Sequence, residues 1–370
     1  RVYFYYTSYE VFAQLYFFCA FSFKRRVDIK LERNAYFDNA KLLLIFLVVF
    51  GHLIQPFTGD SKSLGTLYTW IYTFHMPAFI FLAGFFAKGS GNLSYIMKLA
   101  KKLIIPYIIF QAIYTGYYFF IGKSDWLTDS IFYPHWSLWF LCSLFCWHLL
   151  LILYRKLPAL AGIGLAILLG TLIGYFDQVG HTFSLSRTFV FFPFFLIGYW
   201  TSIKQIRMLK RNSIRIASIV VMASLAVLIY YLPDINSGWL LASKSYSTLG
   251  VETLGGFARL TVYITSAFMA ASVLAWIPEK RFSFTSLGER TLYVYLLHGF
   301  IIQYFRQTEL LYMENFIDFI GFVVISVAIV FILSSKFMIT MWQPLIEIST
   351  SRLREYFRRK EDLEDKNMSA

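Results

Sequence analysis

The sequence predicts an all-α integral membrane protein, a bundle of about ten transmembrane helices with both chain ends in the cytoplasm, since about 20 apolar residues make one crossing. Three observations carry this. Of the 370 residues, 58% are hydrophobic, 20% aromatic and only 15% charged, and the mean hydropathy is +0.58, a balance that water-soluble globular chains do not have. Long apolar runs recur at 42–59, 67–87, 103–122, 136–154, 159–176, 188–203, 216–232, 260–278, 291–305 and 317–335. The loops between them alternate in positive charge.

Lys88, Lys98, Lys101 and Lys102 follow the second run, Arg155 and Lys156 the fourth, five Lys or Arg between Lys204 and Arg215 the sixth, and Lys280, Arg281 and Arg290 the eighth. The other loops hold little beyond Lys62, Lys123, Arg187, Lys244, Arg259 and Arg306. Lysine and arginine accumulate on the cytoplasmic side, so residues 24–41 and the tail after 336 are expected there. The net charge of +13 is thus spent on topology. Because the basic residues are spread between apolar runs, the expected partner is the lipid bilayer and not nucleic acid. Residues 1–26 lack an initiator Met and a cleavage site and carry Glu10 among many aromatics; they read either as an extra span or interfacial helix or as a segment outside the working core. Cys142 and Cys146 share a helix face and Cys19 is remote, so neither a disulfide framework nor a metal site is expected.

Polar residues inside the runs are few. His52 lies in the first run, His75 in the second, His135 at the outer mouth of the fourth with His148 inside it, and His298 in the ninth, while His181 is in a loop. Carboxylates are expected only in loops, which speaks against a proton-coupled transporter relaying protons through buried Asp or Glu. An ionisable residue at membrane depth is a functional candidate by default. The loop between the first two runs is centred midway between His52 and His75, so an antiparallel hairpin holds both rings at one depth, roughly 10 to 12 Å from the outer loop. Each could instead serve as a hydrogen-bonding strut between helices, which is the expectation for His148. Asp38, with Asn39, precedes the first run and reads as a helix N-cap. Arg33, Lys41 and that helix N-terminus also make a cytoplasmic anion site.

The run RNAYFDNAKLLLIFLVVFGHLI, with Arg33, Phe37, Asp38, Lys41, Gly51 and His52, resembles the first helix of the acyltransferase-3 family of integral membrane acyltransferases, in the branch of fucose 4-O-acetylase and related acetyltransferases. FHMPAFIFLAGFF, HWSLWFLCSLFCW and SLGERTLYVYLLHGF follow in matching order. The resemblance implies a ten-helix core that moves an acyl group, usually acetyl from cytoplasmic acetyl-CoA, to sugar hydroxyls at or beyond the membrane. It implies that His52 is catalytic and that Arg33, Asp38 and Lys41 hold the donor. Lys41 stands where many relatives have Arg, keeping the charge and losing the bidentate fork.

On this reading residues 33–341 are a membrane acyltransferase domain and 342–370 a charged cytoplasmic tail. The expected function is O-acetylation, or another acyl transfer, onto a cell-surface or secreted glycan by a multi-pass cell-membrane enzyme. Imidazole suits the removal of a hydroxyl proton near neutral pH, so His52 and His75 are the expected catalytic residues. His135, Arg187, Glu252, Arg259 and His298 are expected to bind the glycan. No metal is expected. With no hydrolase-like domain in the sequence, the core itself, or a separate extracytoplasmic transferase or assembly protein, would deliver the acyl group. The competing readings are a glycan exporter without acyl-transfer chemistry and a silent assembly subunit.

Overall fold

The computed structural model describes residues 34–87, 91–123, 133–179, 184–232 and 235–347. Among them there is no strand. In order, the longer helices are α1 (Ala35–Ile54), α2 (Lys62–Phe86), α3 (Leu93–Phe120), α4 (Trp139–Tyr154), α5 (Ala159–Leu172) and α6 (Leu185–Trp200). After a short α7 (Ile203–Met208) come α8 (Asn212–Tyr231), a single turn α9 (Gly238–Leu241), α10 (Gly255–Trp276), α11 (Thr291–Thr308), α12 (Phe316–Leu333) and α13 (Lys336–Ile346). The helices at Ala35–Phe57, Lys62–Phe86, Leu93–Phe120, Asn212–Tyr231, Gly255–Trp276 and Phe316–Leu333 are long and apolar enough to cross a membrane; Trp139–Tyr154, Ala159–Tyr175 and Leu185–Trp200 are shorter apolar helices. Residues 1–33 and 348–370, including Arg33 and most of the tail, lie outside the described residues.

Helix α1 starts earlier than hydropathy alone suggests, and its cap differs. Asn34, in extended conformation, accepts the Tyr36 amide at 3.0 Å. Asp38 is one turn inside the helix and buried, so the cap is Asn34, and Asp38 pairs with Lys41. One carboxylate also falls within an apolar run: Asp318, in the first turn of α12, accepts the Glu314 and Asn315 amides at 2.9 and 3.1 Å. It caps a helix end, where first-turn N–H groups need an acceptor.

Polar side chains clamp helices that lie far apart in sequence, as is needed where lipid offers no hydrogen bonds. The Asn39 amide donates to the carbonyls of Pro278 and Lys280, both at 2.9 Å, and accepts the Thr285 hydroxyl at 2.7 Å. That fixes the start of α1 to the segment leading into α11. The Tyr114 and Tyr117 hydroxyls of α3 donate to the α11 carbonyls of Leu296 and Phe300, and Arg290 reaches the Ser334 carbonyl at the end of α12. Helices α1, α2, α3, α4 and α11 thereby surround one apolar core. Helix α8 instead exposes Ile216, Val220 and Val227, a face suited to lipid.

Candidate active site

Lys41, Ile45, Val48 and His52 are spaced four, three and four residues apart, so they form one stripe along α1. The stripe lines a cavity of about 230 Å³. From Lys41 to His52 the helix rises about 16 Å at about 1.5 Å per residue. Met76 and Ala83 of α2, Ser137 before α4, Trp139 and Leu144 of α4, and Thr291 and Tyr295 of α11 also line the cavity. Apart from its two ends the lining is chiefly apolar. At the Lys41 end, Lys41 Nζ is 2.7 Å from Asp38 Oδ1, with the Asp38 side chain buried and the Lys41 side chain about a quarter exposed (26%).

The far end is aromatic and basic. His52 Nδ1 and the Tyr72 hydroxyl are 3.2 Å apart. The ring centroid of His52 lies 4.4 Å from that of Trp136 and 5.8 Å from that of His298, and Trp136 is 5.2 Å from His298. Arg306, in the last turn of α11, donates to the His52 carbonyl and to Gln55 Oε1, both at 2.7 Å. Its guanidinium lies over the Trp136 ring, 5.6 Å from the centroid.

Two glycines make this packing possible. A Cβ at Gly51 would lie 2.9 Å from Tyr72 Cε2, and one at Gly299 would lie 2.3 Å from the Tyr114 hydroxyl and 2.9 Å from Trp136 Cζ3. Each glycine neighbours a site histidine and lets an aromatic ring close on it. Trp136 itself has φ of 36°, a left-handed conformation that costs a bulky residue about 1–3 kcal/mol and is characteristic of functional sites.

The other residues expected at the site divide. His75 is buried and donates Nδ1–H to the Ile71 carbonyl at 3.0 Å. Its ring is 4.4 Å from that of Tyr72, so it reaches His52 through Tyr72, whereas His298 is the histidine whose ring adjoins that of His52. His298 is fully buried and donates Nδ1–H to the Val294 carbonyl at 2.9 Å. Arg187 donates Nε–H to the Leu241 carbonyl and stacks on Trp139, 5.0 Å from its centroid, behind the cavity wall. His135 is held away from the cavity. Thr115 spends its hydroxyl proton on the Gln111 carbonyl, so His135 Nε2–H is the donor to Thr115 Oγ1 at 2.8 Å. Arg259 is buried against Trp239 and donates to its carbonyl at 2.6 Å, and Glu252 is exposed on the loop before α10. His148 meets the Tyr95 hydroxyl at 2.7 Å, a packing contact.

Tyr72, Gln55, Trp136 and Arg306 are site residues that the sequence reading passed over. A glycine beside each histidine, in Gly51–His52 and His298–Gly299, is the signal that could have pointed to them. Among the described residues no group of His, Cys, Asp or Glu is arranged to hold a metal ion. The arrangement suits proton transfer at the His52 end of a chiefly apolar cavity that has the Lys41–Asp38 ion pair at its other end.

The family model of the acyltransferase-3 family, described as an acyltransferase domain, matches residues 34–335. The chain is 25% identical to nodulation protein NolL of Sinorhizobium fredii over 305 residues, covering 76% of this chain and 80% of that one. To nodulation protein NolL of Mesorhizobium japonicum it is 26% identical over 302 residues, covering 74% and 77%. No solved structure gives a significant match. With the family model spanning most of its length, the chain belongs to the acyltransferase-3 family and is a multi-pass membrane acyltransferase.

Proposed function

We propose that the protein is an O-acetyltransferase that takes acetyl from cytoplasmic acetyl-CoA and places it on a hydroxyl of a cell-surface or secreted glycan. The observation that carries this reading is the cavity running along α1 from the Lys41–Asp38 pair to His52. Acetyl-CoA has a polyanionic head, a thin arm and a thioester at its tip. A cation at the mouth, an apolar tunnel and an imidazole at the end match those parts in that order. Arg33 would add a second cation for the donor's phosphates. In the reaction His52 accepts the proton of the acceptor hydroxyl as its oxygen attacks the thioester carbonyl carbon. The tetrahedral adduct collapses, the C–S bond breaks, and the proton passes from His52 to the departing thiolate. His75 supports the Tyr72 ring that His52 leans on.

In this reading all ten apolar runs cross the bilayer and both chain ends are cytoplasmic, supported by the alternation of Lys and Arg between loops. The Lys41 end of the cavity then faces the cytoplasm, where acyl-CoA is made. The glycan approaches from the opposite side, either directly or through a partner protein.

The test compares glycans from cells with and without the gene, and with a gene encoding His52→Ala, by mass spectrometry of alkali-labile esters. Acetyl esters that vanish in both altered strains are expected. Identical ester content in all three would reject the function.

A further inference from the structure

Beyond His52, on the side away from the Lys41 cavity, two polar atoms are buried without partners: His298 Nε2 and Arg306 Nε. His298 commits Nδ1–H to the Val294 carbonyl, so in the neutral ring Nε2 carries a lone pair with nothing to accept from. Arg306 spends another nitrogen on the His52 carbonyl and Gln55, which leaves Nε–H as a donor. Both side chains adjoin the same Trp136 indole. Orphaned polar atoms are costly in a protein interior, and these two lie against one strained tryptophan next to the proposed base.

Building on the proposed acetyl transfer, we propose that these groups form the acceptor subsite, which takes a sugar ring. His298 Nε2 accepts a hydrogen bond from a sugar hydroxyl, and Arg306 Nε–H donates to a neighbouring sugar oxygen. One acceptor and one donor side by side match vicinal hydroxyls of a pyranose, each of which can donate and accept. The indole supplies the flat apolar surface on which a sugar ring rests. His52 then stands at the junction of two subsites, the donor reaching it from Lys41 and the acceptor from Trp136.

Two substitutions separate binding from packing. Asparagine at 298 can keep the donor to Val294 and removes the acceptor at Nε2; glutamine can place an amide oxygen near Nε2. The measurement is acetyl transfer from radiolabelled acetyl-CoA to the glycan of native membranes holding equal amounts of each protein, across acetyl-CoA concentrations. His298→Asn is expected to lower maximal transfer about tenfold, the rate equivalent of one lost hydrogen bond, with an unchanged KM for acetyl-CoA. His298→Gln is expected to stay within about threefold of the unaltered protein, less than half of one such bond. Equal maximal transfer by the Asn variant, or an equal loss in both variants, would overturn the subsite by reducing His298 to packing. A raised KM for acetyl-CoA would place His298 on the donor side and also overturn it. Failure of the unaltered protein to transfer acetyl would instead remove the underlying function, and the subsite with it.

Discussion

Replacing Tyr72 by Phe removes one oxygen and little else. The ring keeps its contacts with Tyr68, 3.9 Å between centroids, and with the edge-on His75 ring at 4.4 Å, and the residue is buried, so the fold should be kept. What is lost is the 3.2 Å contact between the hydroxyl and His52 Nδ1, which holds the imidazole in one orientation. A hydrogen bond of this kind contributes about 0.5–1.5 kcal/mol net. If all of it orients the base, transfer falls by roughly two- to thirteenfold, since 1.36 kcal/mol is about tenfold in rate. Loss of the base itself would cost about 10²- to 10⁴-fold. The assay is initial-rate acetyl transfer in membranes matched for protein amount. An intermediate loss with an unchanged KM for acetyl-CoA is expected. A rate equal to that of the unaltered protein would show that Tyr72 does not orient His52, and a loss as deep as that of a His52 variant would show that the hydroxyl itself takes part in the chemistry.

Two further outcomes follow from the same geometry. Lys41→Met should raise the KM for acetyl-CoA about fivefold, the equivalent of about 1 kcal/mol for a partly exposed charge already paired with Asp38; an unchanged KM in a titration of transfer rate would remove Lys41 from the donor site. Gly299→Ala should destabilise the bundle by about 1–3 kcal/mol, the usual cost of overpacking, because the added methyl meets the Tyr114 hydroxyl, which is held by its bond to Leu296. A thermal melt in detergent that matches the unaltered protein would contradict the close packing at that helix.

The all-helical fold was legible in the sequence because the apolar runs are local signals that fall on helices, six of which, among the described residues, are long and apolar enough to cross a membrane. His52 and Lys41 were legible too, being eleven residues apart on one helix and therefore on one face. What was not legible is what meets His52 from elsewhere. Arg306 lies 254 residues further along the chain and reads in the sequence as one more loop charge. Trp136 reads as one of many aromatics at a membrane interface. Hairpin symmetry pairs His52 with His75, but the tilt and rotation of helices decide which rings meet, and they bring His298 beside it. Sequence likewise cannot separate an arginine that faces a ligand from one that serves a backbone carbonyl, as Arg259 and Arg187 do. The cap of α1 was misread for a simpler reason: Asn34 and Asp38 are both good capping residues, and only the backbone conformation shows that Asn34 holds that position.

The central claim is that His52 is the base for acyl transfer, and His52→Gln tests it most directly. Glutamine keeps hydrogen-bonding capacity but cannot take a proton at neutral pH. Labelled acetyl-CoA is supplied to membranes containing equal amounts of the unaltered protein, His52→Gln, and His148→Gln as a control whose histidine only packs against Tyr95. The account predicts at least about a hundredfold loss for His52→Gln, with the His148 variant close to the unaltered protein. Near-normal transfer by His52→Gln would contradict the account and leave His52 as a strut between helices.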